Sequence, residues 1–326
     1  MQERVKESVR TVVTFTPTQP VAWPEGLVID GQGNIYVGML ASGEIVKIAP
    51  DGAQTVLATF ELGEASRRTP NVLVGLSLDA ANNVYAVLLT GDTPGAATHG
   101  VWRVTPSGHK QLVGAIPNTD GGPNQVALDR HGNVYVTDSW LGVVWRIARG
   151  STTATVWLDD PRLTWATELD NPCGVTSFFG GANGLAFDQR GDLYVASSNR
   201  AVILRVKIDP QTGEPTAEEF IQDCARLTAL DHMAFDERGN LYVARNVDNE
   251  IIRITPDKQI EVLATADDGL DTPSNIAFGT GPATFGSGPN NQTLLYITNH
   301  GSKHNRHCVQ VLDVGVPGMP VPLPEA

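Results

Sequence analysis

Pro24–Gly38 reads PEGLVIDGQGNIYVG: an apolar-alternating run up to Asp30, a turn carrying Gly-Asn, and a second run built on Tyr-Val. The pattern returns as PNQVALDRHGNVYVT from Pro123, ANGLAFDQRGDLYVA from Ala182 and LDHMAFDERGNLYVA from Leu230. A weaker copy, GLSLDAANNVYAV, starts at Gly75. The weakest, PSNIAFG from Pro273, resumes after an insertion as LLYITN at Leu294. The Asp of each copy is Asp30, Asp79, Asp129, Asp188 and Asp236, with Gly279 in its place in the sixth; the spacings are 49, 50, 59, 48 and 43 residues. A period near 50 with several short strands per unit is the signature of propeller blades.

Outward from each copy, a third strand follows (GEIVKIAP, GVWRVTP, GVVWRIA, AVILRVKI, EIIRITP), and a fourth after a DG or SG turn, as in AQTVLATF. No segment of any length has helical period. The chain is therefore predicted to be all-β, a six-bladed β-propeller with four antiparallel strands per blade, and a single domain over residues 1–326. A strand within VRTVVTFTP pairs onto HCVQVLDVGV and closes the last blade, because an open edge invites aggregation. The repeated Asp and Gly-Asn serve a turn that every blade needs, Asp by an Asx-type turn and Gly or Asn by tolerating positive φ. No chemistry is assigned to them.

Charge bounds the partners. With 23 Lys+Arg against 36 Asp+Glu the formal charge is −13, a surface that repels phosphate backbones and argues against nucleic acid. No apolar run approaches the ~18 residues of a membrane helix, so no membrane partner is expected. MQERVKESVRTVV lacks the apolar core and small-residue cleavage site of a secretory signal, and a cytoplasmic location is the expectation. Cys173, Cys224 and Cys308 are odd in number, far apart and without a CxxC, so neither a zinc site nor a disulfide framework is expected.

Function is read where the repeat disagrees with itself. Five residues before each repeat position stand, in order, Glu25, Val74, Asn124, Asn183, Asp231 and Ser274. This position opens the innermost strand of each blade, so equivalent side chains converge on the central axis. Two carboxylates and two amides gathered there are costly unless a cation satisfies them. All donors are oxygens, which selects a hard cation. Calcium, with its adaptable six to eight oxygen ligands, is preferred over magnesium or another divalent ion. Any one Asn or Asp at a strand start would read as a turn residue; four at one register do not.

Those motifs, in that order over essentially the whole chain, resemble the senescence marker protein/gluconolactonase/luciferin-regenerating-enzyme-like family, relatives of diisopropyl fluorophosphatase and paraoxonase. The resemblance implies a central calcium held by Glu25, Asn124, Asn183 and Asp231, with Asp231 also as nucleophile or general base. It places Ser274 and Asn275 beside the metal as a polar substrate-binding pair, with Asn124 and Asn183 also holding substrate oxygen. The implied activity is calcium-dependent hydrolysis of a lactone or related small-molecule ester. An organophosphate triester hydrolase at the same site, or a non-catalytic scaffold with structural calcium, are the rivals. Two departures stand out. Gly122 occupies a position where sugar lactonases of the family often carry Arg, which weakens the case for an aldonolactone. Asp231 is followed by His232 rather than Gly or Asn. His232 is a candidate acid–base partner, although strand alternation would turn it away from the channel. His99, His300, His304 and His307 lie on loops expected at the channel mouth, as do Trp23, Trp140 and Trp165, and the long interval LTWATELDNPCGVTSFFGG is the place to look for substrate selection.

Overall fold

In the computed structural model, which describes residues 9–16, 23–65, 70–166, 170–175, 180–287, 291–320 and 324, the repeat Asp closes its turn. Asp30 Oδ1 accepts from the backbone N–H groups of Gln32 and Asn34, both at 2.9 Å, and Oδ2 accepts from Asn34 Nδ2 at 2.8 Å and the Tyr36 hydroxyl at 3.0 Å. The set recurs at Asp129 with Asn133 and Tyr135, and at Asp236 with Asn240 and Tyr242. Gly33, Gly132, Gly191 and Gly239 take the left-handed conformation inside these turns (φ 80–86°), and Asn82 takes it in the second repeat (φ 61°). That is the conformational reason the turn carries Gly or Asn.

Each turn joins the first two strands of a four-stranded antiparallel sheet. After β1 (Arg10–Thr14), blade 1 holds β2 (Pro24–Ile29), β3 (Ile35–Met39), β4 (Glu44–Ile48) and β5 (Gln54–Thr59). Blade 2 holds β6 (Val72–Leu78), β7 (Val84–Leu89), β8 (Gly100–Val104) and β9 (Lys110–Ala115). Blade 3 holds β10 (Pro123–Leu128), β11 (Val134–Asp138), β12 (Val143–Ile147) and β13 (Thr155–Asp159). Blade 4 holds β14 (Ala182–Phe187), β15 (Leu193–Ser197), β16 (Val202–Ile208) and β17 (Pro215–Gln222). Blade 5 holds β18 (Leu230–Phe235), β19 (Leu241–Arg245), β20 (Glu250–Ile254) and β21 (Ile260–Ala264). Blade 6 holds β22 (Pro273–Phe278), β23 (Leu294–Asn299) and β24 (Cys308–Asp313). Its fourth strand is β1, which pairs with β24 from Arg10↔Val311 to Thr14↔Cys308. The protein is a six-bladed β-propeller.

The inner strands β2, β6, β10, β14, β18 and β22 each touch the next, and β22 returns to β2. Between blades lie six apolar clusters, each filled from two neighbours. Ile35 and Val37 face blade 6 while Tyr36 between them faces blade 2. Period-two alternation here separates two buried faces rather than inside from outside, so the strands are apolar throughout. The six tyrosines of the chain occupy one register, one per blade, and all are buried. Among the described residues no helix is long and apolar enough to cross a membrane.

One expectation is corrected. Cys173 and Cys224 form a disulfide, 51 residues apart, and Cys308 alone is free and buried. The two cysteines lie on the loops entering blades 4 and 5. Loops one blade period apart sit side by side on the rim, so a separation near that period brings them together.

Candidate functional site at the channel axis

Every inner strand carries a bulge at the same place. In blade 3, Pro123 pairs with Asp138 and Val126 with Val136, so Asn124 and Gln125 together oppose Thr137. Glu25–Gly26, Val74–Gly75, Asn183–Gly184, Asp231–His232 and Ser274–Asn275 are bulged in the same way. A bulge interrupts alternation and re-aims a side chain. Here it frees the first residue of each pair from the strict alternation of the two blade faces. Three of the second residues are glycines because adjacent inner strands close in. A Cβ on Gly184 would lie 1.9 Å from the Asp231 carbonyl oxygen, and one on Gly26 2.6 Å from that of Val74.

Glu25 and Asp231 come from blades separated by blade 6, yet their carboxylates interact electrostatically across the channel. Burial first, and then the Glu25 charge, raise the Asp231 pKa well above the usual carboxylate range; the Asn246 amide and the His232 backbone N–H oppose the rise. Asn183 is buried, and its Oδ1 has no hydrogen-bond partner among the described residues. The same holds for Asn246 Oδ1 and Asn275 Oδ1. The Asn183 and Asn246 oxygens, buried without donors at the end of the channel that holds the two carboxylates, are a donor set a hard cation fits. Among the described residues no three His, Cys, Asp or Glu side chains gather, so such a site depends on the amides.

A second ring orients the first. Asn124 Nδ2 donates to Ser139 Oγ at 3.0 Å, and Asn183 Nδ2 donates to Ser198 Oγ at 3.3 Å. Each serine then donates to the backbone carbonyl just before the next blade's axial residue, Ala182 and Leu230 respectively. Asn246 Nδ2 donates to Asp231 Oδ2 at 3.1 Å, and His300 Nε2 contacts Glu25 Oε2. Ser139, Ser198, Asn246 and His300 all follow the residue that pairs opposite the start of the inner strand. Ser139, Ser198 and Asn246 each stand fifteen residues after the axial residue of their own blade. That spacing was a readable signal, and the insertion in blade 6 hides it for His300.

Other predicted residues have other places. Ser274 is fully buried, its Oγ directed at the Glu25 carbonyl (3.3 Å) and the Thr298 hydroxyl (3.1 Å), so it holds the backbone of Glu25. His232 hydrogen-bonds to the backbone of Ile276, and burial pushes its imidazole down to about 4. It lines a cavity of about 430 Å³ formed by the far halves of the inner strands with Pro317–Pro320. The imidazole is thus in the apolar half of the channel, away from the polar ring. His99 is buried, its Nδ1 accepting from the Thr90 and Gly91 N–H groups at 3.2 and 3.1 Å; His307 is buried and His304 exposed. Trp23 stacks on His300 with centroids 6.4 Å apart. Phe178 and Phe179 of the long interval lie outside the described residues.

The SMP-30/gluconolactonase/LRE-like region matches residues 77–299. Among solved structures, a putative gluconolactonase is similar at 16% identity and TM-score 0.66, over 97% of this chain and 95% of that one. A calcium-binding protein, regucalcin, from Agrobacterium tumefaciens also scores 0.66 at 16% identity, over 98% of both chains. A gluconolactonase from Xanthomonas campestris scores 0.62 at 16% identity, over 97% and 99%. These identities establish the shared fold. No curated protein matches at the sequence level.

Proposed function

We propose, given that the chain belongs to the SMP-30/gluconolactonase/LRE-like family, that its polar channel end is the active site of a calcium-dependent hydrolase acting on a small lactone or related ester. The observation that carries the reading is the buried Glu25–Asp231 pair beside the partnerless Asn183 Oδ1. Uncompensated, that arrangement is destabilising. Glu25, Asn124, Asn183 and Asp231 would hold the cation, with Ser139, Ser198, Asn246 and His300 fixing their orientation. Calcium suits an all-oxygen set of carboxylates and amides, and the similar regucalcin is described as a calcium-binding protein. When bound, the cation supplies Lewis-acid polarisation of the substrate carbonyl.

The residues divide the remaining work. Asn124 and Asn183 orient the carbonyl oxygen. Asp231, whose carboxylate stands at the axis beside the cation, takes a proton from water as the water oxygen bonds to the carbonyl carbon. The acyl–oxygen bond then breaks and the proton passes to the departing alkoxide. A lactone leaves as a hydroxy acid.

The test is hydrolysis of lactones, aryl esters and phosphotriesters with chelator, then with calcium restored. Activity on a lactone or ester should vanish and return. In Asp231→Asn at saturating calcium, turnover should fall about 10²–10⁴-fold, the contribution of a general base. Turnover that survives in Asp231→Asn makes Asp231 a ligand alone. A wild-type protein that binds calcium and turns over none of the substrates would overturn the hydrolase reading in favour of a scaffold.

A further inference from the structure

Two exposed aromatic rings stand out among the described residues: Trp23 and Trp165, each 37% exposed, while all six tyrosines are buried and the described phenylalanines are buried or partly so. Both lie on the rim at the polar end of the channel. Trp23 precedes β2 by one residue and Glu25 by two, and its indole stacks on the His300 ring that contacts Glu25. Trp165 follows Thr164, whose backbone covers Gly181 so closely that a Cβ there would lie 2.9 Å from the Thr164 carbonyl carbon; Gly181 precedes Asn183 by two. At the same position in blade 3, the Trp140 ring lies over Gly122, where a Cβ would come within 2.6 Å of Trp140 Cγ. Tryptophan thus stands at or beside three of the four approaches to the proposed ligands.

Two arginines on this rim are already committed. Arg200 donates to the Thr164 carbonyl at 2.8 Å, to its hydroxyl at 3.0 Å and to Asp170 at 2.5 Å. Arg245 donates to Thr228 and pairs with Asp248 and Glu250. Neither guanidinium is free to grip a row of substrate hydroxyls. The chain's charge of −13 disfavours an anionic ligand as well.

Resting on the hydrolase reading, we infer that the substrate is an uncharged lactone or ester with an apolar alkyl chain on the carbon that bears its leaving oxygen, and that Trp23 and Trp165 are the specificity-determining walls that receive it. Exposed indoles offer large, rigid apolar area at low entropic cost, and an apolar substituent covering them removes that area from water. Polyhydroxylated lactones would leave their hydroxyls facing aromatic rings and engaged arginines.

The experiment compares kcat/KM for δ-decalactone, unsubstituted δ-valerolactone and glucono-1,5-lactone. The expected order is decalactone first and gluconolactone last. Trp23→Ala and Trp165→Ala should each reduce the decalactone-to-valerolactone ratio about tenfold, the scale of losing one apolar contact group, and Trp→Phe should restore part of it. Preference for gluconolactone, or an unchanged ratio in both variants, overturns the inference while leaving the hydrolase intact. In parallel, binding of 6-pentylpiperidin-2-one, an unreactive lactam, is measured against unsubstituted piperidin-2-one by tryptophan fluorescence. Equal affinity overturns the inference whether or not the protein turns over any lactone, whereas tight lactam binding without turnover overturns only the hydrolase reading.

Discussion

Asp231 and Glu25 share one end of a narrow channel, and burial of two like charges there is tolerable only with a compensating partner. In the reading proposed above, that partner is a calcium ion. Calcium should therefore raise the melting temperature, since a ligand that binds only the native state stabilises it by mass action; Glu25→Gln should weaken that shift about tenfold in calcium concentration, measured by thermal denaturation across a calcium titration. His99 makes a separate residue-scale prediction. Its Nδ1 accepts from two backbone N–H groups, and burial lowers its pKa, against smaller opposing effects of Asp138 and Asp92. The folded state then binds fewer protons than the unfolded one just below the ordinary histidine pKa of 6.5. Its contribution is fully present above that pH and is lost as pH falls through the unfolded value toward the lowered folded one. Wild type should lose melting temperature between pH 7 and 5 more steeply than His99→Gln; parallel slopes would refute the assignment.

At the scale of elements, the bulge joins fold to site. It recurs in all six inner strands, so it belongs to the architecture, and in four of the six its first residue carries a carboxylate or an amide. Its second residue must be small wherever blades close in. Gly184→Ala sets a Cβ 1.9 Å from the Asp231 carbonyl oxygen, so Asp231 has to move. The expected result is about 1–3 kcal/mol of lost stability and weaker calcium binding, read by denaturation and calcium titration; an unchanged calcium affinity would show that the Asp231 backbone is not what sets the ligand position. The loops give a second test. Native protein should show no reactive thiol, because Cys173 and Cys224 are joined and burial pushes Cys308 up to about 11. One thiol should appear on unfolding and three after reduction, counted with a thiol reagent.

Over the whole molecule, ring closure is what makes the axis a site. Glu25 of blade 1 reaches His300 of blade 6, and the Thr298 hydroxyl of blade 6 donates to the Glu25 carbonyl at 2.7 Å. These contacts exist only if the first and last blades meet. β1 closes that joint, with Val13 buried beside Val309 and Val311. Val13→Asp places an unpaired charge there and should cost about 4 kcal/mol or more, with aggregation as the unpaired edge of β24 is exposed. A soluble variant with unchanged melting temperature and calcium affinity would show that closure rests elsewhere.

Much was legible in the sequence because it is written locally. The Asp turn needs residues only two to six positions apart, each strand its own alternation, and six copies repeat the message at a period near 50. The axial register of Glu25, Asn124, Asn183 and Asp231 followed from counting back from that turn. What only the tertiary structure decided lies between repeats. The Cys173–Cys224 link arises because loops one period apart become neighbours on a ring. The His300–Glu25 contact spans 275 residues and sits behind an insertion that breaks the register. His232 sits in the apolar half because the bulge, invisible in residue type, shifts the alternation by one. Periodicity fixes which residues share a position along a blade; the closing of blades on one another determines which of them touch.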